Sequence, residues 1–91
     1  MIEFAAGTAR VRAAMTMANA ARLLPAMDPY LAGDKVEVDL AGIEDLDSSA
    51  LALMLEWRRI GAARSCAVHY VGMPANLKTL ADLYGVADLL L

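Results

Sequence analysis

Hydrophobic and polar positions alternate most cleanly from Lys35 to Leu40. Val36, Val38 and Leu40 point one way; Glu37 and Asp39 point the other. A period of two with one apolar side predicts a strand with one covered face. Ile2 to Ala6 and Ala9 to Met15 predict two further short strands, joined as a hairpin around Gly7-Thr8. In the second, Val11, Ala13 and Met15 alternate with Arg10 and Arg12, which sets the arginines on the solvent side.

Elsewhere the period is helical. Ala20, Leu23, Leu24, Met27 and Leu31 recur at helical spacing behind Thr16, a candidate cap. Pro25 falls inside this run, so the helix either bends there or starts late, and Pro29 and Gly33 mark its end. Asp47-Ser48-Ser49 follows the turn Ala41 to Leu46 and opens a helix over Leu51 to Ala63. Its small or charged stripe, Ala52, Glu56, Arg59 and Ala63, faces water or a partner. Leu51, Met54, Leu55, Trp57 and Gly61 face the sheet. Arg58 interrupts that arc, with a stem long enough to reach out. Cys66 to Val71 is a nearly continuous apolar run and reads as a more central strand. After Gly72 and Pro74, Leu77, Leu80, Ala81 and Tyr84 form an amphipathic helix closed by Gly85. The tail Leu89-Leu90-Leu91 is expected to pack back onto the domain or onto a neighbour.

The order is strand, strand, helix, strand, helix, strand, helix. The fold class is α/β, a mixed four- to five-stranded sheet with helices packed on one face. The hairpin is antiparallel, and the unit from Lys35 to Val71 requires a parallel pair.

Composition narrows the function. A chain of 91 residues makes one domain over 1–91. A hydrophobic fraction of 59% is high for that size, which leaves apolar helix surface for a partner. A net charge of -3, with basic residues clustered only at Arg10/Arg12 and Arg58/Arg59, argues against nucleic acid. One cysteine makes no internal disulfide and fits a reducing compartment. No run is long enough for direct membrane insertion, and Met1-Ile2-Glu3-Phe4 lacks the basic start of a signal peptide. The expected location is the cytoplasm.

Candidate chemistry is sparse. Cys66 and His69 lie three apart in one strand and point to opposite faces, so neither a metal site nor a Cys/His catalytic pair is expected from them. Ser48 lacks the flanking glycines of a nucleophile elbow. No glycine-rich phosphate loop is present. The reading is of a non-enzyme with no cofactor. What remains is a hydroxyl at a helix N-terminus, where free amides and the helix dipole favour a phosphate that neighbouring Asp47 repels.

The strand Val36-Glu37-Val38-Asp39-Leu40, the turn to Leu46 and then Asp47-Ser48-Ser49-Ala50-Leu51 resemble the STAS domain family, the anti-sigma-factor-antagonist-like fold. Ala50 stands where that family usually has Gly. The resemblance implies one STAS domain, with Ser48 at the position phosphorylated in bacterial anti-sigma antagonists. Leu51-Ala52-Leu53-Met54-Leu55 and Leu77-Lys78-Thr79-Leu80-Ala81-Asp82-Leu83-Tyr84 are most similar to the MlaB-like branch. That branch implies an accessory subunit of an ABC-type phospholipid transporter, peripheral to the inner membrane through its partners. Those partners are an MlaF-like cytoplasmic ATPase and, indirectly, its permease. The expected contact residues are Asp47, Ser48, Ser49, Ala52, Glu56 and Arg59. The alternative is an antagonist whose partner is an anti-sigma factor kinase that phosphorylates Ser48.

Overall fold

In the computed structural model, which describes residues 1–90, four strands form one sheet in the order β1 (Ile2–Ala5), β2 (Thr8–Val11), β3 (Lys35–Asp39) and β4 (Ala67–Val71). β1 and β2 are antiparallel; β2–β3 and β3–β4 are parallel. The helices are α1 (Met17–Ala26), α2 (Ser49–Ala63), α3 (Ala75–Leu83) and the short α4 (Ala87–Leu90).

The register sorts side chains by face. Ala9 lies beside Val38, and Val38 beside Tyr70, all buried under the helices. One residue along, Arg10 lies beside Asp39 and Glu37 beside His69, on the open face. There Arg10 Nε meets Asp39 Oδ2 at 3.0 Å and Arg12 Nε meets Glu3 Oε1 at 3.2 Å. Alternation in β3 thus places helices on one face only, because only one face has apolar surface to remove from water.

Trp57, Met54, Leu23, Met27, Leu31, Leu40 and Leu77 fill the core between helices and sheet. Burying one such aliphatic side chain contributes about 1.5–3 kcal/mol. Polar tips in this region are satisfied. Trp57 Nε1 donates to the Leu24 carbonyl at 3.2 Å, and Tyr70 Oη donates to the Met54 carbonyl at 2.6 Å. The Leu24 carbonyl sits in the last turn of α1, where helix carbonyls have no partner within the helix.

Several elements differ from the sequence reading. The hairpin turns at Ala6-Gly7, both with positive φ, rather than at Gly7-Thr8. Two left-handed residues in a two-residue loop match the twist of the flanking strands. β2 ends at Val11 instead of Met15. The chain then leaves the sheet, and Met15 returns as an isolated parallel bridge to Leu46. β4 is an edge strand, not a central one; its apolar run divides between the two faces, with Tyr70 buried and His69 exposed. Cys66 precedes β4 and is buried. α1 runs through Pro25, which lies in its last turn and cannot donate the amide hydrogen bond that the Ala21 carbonyl would otherwise accept; the helix ends one residue later at Ala26. Tyr84, expected on the buried face of α3, is exposed at its C-cap. Gly85 takes the left-handed conformation that closes α3, with the Val86 amide returning to the Ala81 carbonyl at 2.9 Å. In the tail, Leu90 is buried and Leu89 exposed; Leu91 lies outside the described residues.

Candidate functional site

The site is built where β3 hands the chain to α2. Asp39 ends β3, and its Oδ1 accepts the Ala41 amide at 2.9 Å while Oδ2 meets Arg10. That amide first, and Arg10 after it, hold the Asp39 carboxyl below its ordinary value. Gly72 packs against this corner at φ +66; a Cβ there would lie 2.8 Å from Ala41 Cβ and 2.9 Å from Asp39 Oδ1. Ile43 anchors the following turn in the core. The Met15–Leu46 bridge then fixes its far end through Met15 N to Asp45 O at 3.0 Å and Asp47 N to Met15 O at 3.2 Å.

α2 begins at Ser49, two residues before the expected Leu51. Ser48 occupies the N-cap position, but its side chain makes no capping bond, and neither does that of Thr16 before α1. Asp47 caps instead. Its Oδ1 accepts the Ser49 amide at 2.8 Å and its Oδ2 accepts the Met17 amide at 3.0 Å. The Met17 amide, then the Ser49 amide, hold the Asp47 carboxyl below its ordinary value.

With that duty taken by Asp47, the Ser48 side chain faces solvent. Ser49 is half-buried. Ala50 is fully buried, so the residue that differs from the usual family motif points into the core and leaves the outer approach to Ser48 open. One turn on, Ala52 is exposed. Glu56 and Arg59 continue the stripe and pair with each other, Arg59 Nε to Glu56 Oε2 at 3.0 Å. Arg59 lowers the Glu56 carboxyl pKa, and Glu56 raises that of the guanidinium. The structure therefore brings Ser48, Ser49, Ala52, Glu56 and Arg59 onto one side of α2. It turns Asp47 inward to the two helix starts.

Two shallow grooves flank Ala52. Toward α1 lies one of about 430 Å³ lined by Ala20, Ala21, Leu24, Ser49, Ala52, Leu53 and Glu56. Toward α3 and α4 lies one of about 250 Å³ lined by Ser48, Leu51, Ala52, Leu55, Tyr84 and Val86. Leu55 thus lines an outer groove instead of facing the sheet, and Leu53 takes the buried position. Met17 and Leu83 add exposed apolar surface, at 77% and 76% accessible. Sequence reasoning missed α1, Leu55 and Tyr84 as parts of this surface. The available signal was the run of alanines at positions 18, 20 and 21, which is small enough to leave a groove beside α2.

A roomier depression, about 600 Å³, lies at the opposite end of the sheet beside Thr8, Lys35, Glu37 and His69. It adjoins the starts of β2 and β3, whereas α2 follows the end of β3, so it takes no part in this surface. Cys66 is buried with its Sγ 3.5 Å from the Ala32 carbonyl, and His69 is exposed on the open face, so the two are not brought together. Among the described residues no helix is long and apolar enough to cross a membrane.

The sheet order and the helix after β3 have a counterpart among solved structures. The anti-sigma factor antagonist SpoIIAA in its unphosphorylated form superposes with a TM-score of 0.76 at 11% sequence identity. The match covers 100% of this chain and 84% of that one. No curated protein matches the sequence. The family described as "Mlab, STAS domain" matches residues 2–91. STAS domains are in general non-catalytic regulatory or accessory modules that act through contacts with other proteins. A match over nearly the whole length, joined to this mixed sheet, places the chain in the MlaB-type STAS domain family.

Proposed function

We propose that this chain, one STAS domain over residues 1–91, is a non-catalytic accessory subunit of an ABC-type phospholipid transporter. It docks on the cytoplasmic ATPase and supports its assembly and activity. It is cytoplasmic and reaches the inner membrane only through the ATPase and its permease. The observation that carries the reading is the outer face of α2 in a chain of MlaB type. Ser48, Ser49 and Ala52 form a ridge of small side chains between two apolar grooves. Small residues let another backbone approach closely, and apolar grooves on either side accept its larger side chains. The Glu56–Arg59 pair neutralises its own charge at the far end of the ridge, so the surface presents little to repel an apolar partner.

The test is direct binding. The purified chain and its cognate ABC ATPase co-elute in size-exclusion chromatography, and Ala52→Trp abolishes co-elution while the variant keeps its fold. Co-elution undiminished by Ala52→Trp and by Ser48→Trp contradicts the reading.

A second reading has its own observation. Ser48 carries an exposed hydroxyl at the start of a helix in a fold shared with an anti-sigma factor antagonist. In that reading an anti-sigma factor kinase phosphorylates Ser48 and is released. Intact-mass measurement after incubation with the cognate kinase and ATP decides it: a single added phosphate on the wild type, absent from Ser48→Ala, supports the switch. An unchanged mass removes it.

A further inference from the structure

Asp47 lies inside the segment assigned to partner contact, yet both oxygens of its carboxylate are engaged within the protein. Met17, whose amide meets Oδ2, opens α1. Ser49, whose amide meets Oδ1, opens α2. One side chain therefore caps two helices, at positions where Thr16 and Ser48 make no capping bond of their own. The far ends of the contact are joined by the bond from Trp57 Nε1 to the Leu24 carbonyl. α1 is thus tied to α2 at two points, and Ala20, Ala21 and Ala52 line the groove between them.

We propose that Asp47 is a positioning residue and not a contact residue. It fixes where α1 starts relative to α2, so that α1 supplies the second half of the recognition surface. The clamp itself is a property of the free protein. Its consequence for recognition rests on the docking reading above.

Amide exchange measured by NMR on the full chain tests the clamp without any partner. Asp47→Ala is expected to speed exchange roughly tenfold at both Met17 and Ser49, the scale of losing a helix cap. Val36 and Val38 in the sheet keep wild-type protection. Ser48→Ala changes neither helix start. Asp47→Asn, which keeps the volume and one acceptor oxygen, is expected to keep the local bond to Ser49 and lose protection at Met17; it decides the matter if Asp47→Ala does not fold. A Met17 amide as protected as in the wild type, with loss at Ser49 alone in every Asp47 variant, overturns the proposal and leaves Asp47 as an ordinary cap for α2.

Binding to the cognate ATPase then separates the two claims. Ala21→Trp on α1 is expected to weaken binding at least about tenfold, as Ala52→Trp does, since each fills one wall of the same groove. Wild-type affinity for Ala21→Trp beside lost binding for Ala52→Trp overturns the share of α1 and keeps the docking site. A wild-type chain that does not bind overturns the docking reading, and the exchange data still decide the clamp.

Discussion

The Asp47 carboxylate accepts the backbone amide of Met17 at 3.0 Å across 30 positions of sequence. That bond makes the start of α2 and the start of α1 one structural unit. It also explains why the Ser48 side chain is left facing solvent, since the capping role open to it is already filled.

Asp47 gives the fold an acid-sensitive point. In the unfolded chain its carboxyl titrates near the ordinary value of 3.8, and in the folded chain the Met17 and Ser49 amides hold it lower. The contribution is therefore fully present above about pH 4 and is lost as pH falls through the folded value. Asp39, held low chiefly by the Ala41 amide, acts in the same direction. Urea unfolding repeated from pH 7 down to pH 3 is expected to show a shallower acid decline for Asp47→Asn than for the wild type. Parallel declines would contradict it.

Gly61→Ala is expected to destabilise the fold despite the better helix propensity of alanine. A Cβ at Gly61 would stand 2.6 Å from Val68 Cγ2 and 2.7 Å from the Cys66 carbonyl oxygen. Propensity favours alanine by about 1 kcal/mol in a helix interior. Overpacking against a backbone that cannot yield costs about 1–3 kcal/mol. The net loss, read from the urea midpoint, is expected to be up to about 2 kcal/mol.

Tyr70 supplies the alkaline counterpart. Burial holds its phenol well above the ordinary value of 10.0, in a site where its hydroxyl bonds the Met54 carbonyl. Its stabilisation is full below about pH 10 and is lost as pH rises above that, because the unfolded phenol ionises while the folded one does not. Tyr70→Phe is expected to cost about 1 kcal/mol at neutral pH. It is also expected to flatten the loss of stability between pH 9 and 11, which urea melts over that range would measure.

The two faces of the sheet should separate in function. Glu37→Ala and His69→Ala alter the open face, away from α2, and are expected to leave ATPase binding and stability near wild type. A loss of binding from either would move the interface to the sheet.

The legible parts of this fold were those with local causes. The alternation of Val36, Val38 and Leu40 placed β3 and its covered side, and Gly85 placed the end of α3. The Asp-Ser-Ser turn marked the helix start to within two residues. What was not legible depended on partners distant in sequence. Nothing near Met15 announces a bridge to Leu46, so the alternation of Val11, Ala13 and Met15 reads as one strand although β2 ends at Val11. The apolar content of Cys66 to Val71 resembles that of a central strand, because a residue beneath a helix and a residue on an open edge are both apolar here. The candidate site was similar. Ser48, Ala52 and Arg59 follow from the period of one helix, whereas the inward role of Asp47 and the contribution of α1 arise only when two helix starts meet.

The most direct measurement is an affinity pull-down of the tagged chain from its native cells, wild type beside Ser48→Glu. An ABC ATPase and its permease recovered with the wild type and lost with the variant is the expected result, and it places the interface at the start of α2. Equal recovery with both would contradict that interface, and recovery of a sigma-factor regulator in place of the transporter would contradict the accessory-subunit function while keeping the fold.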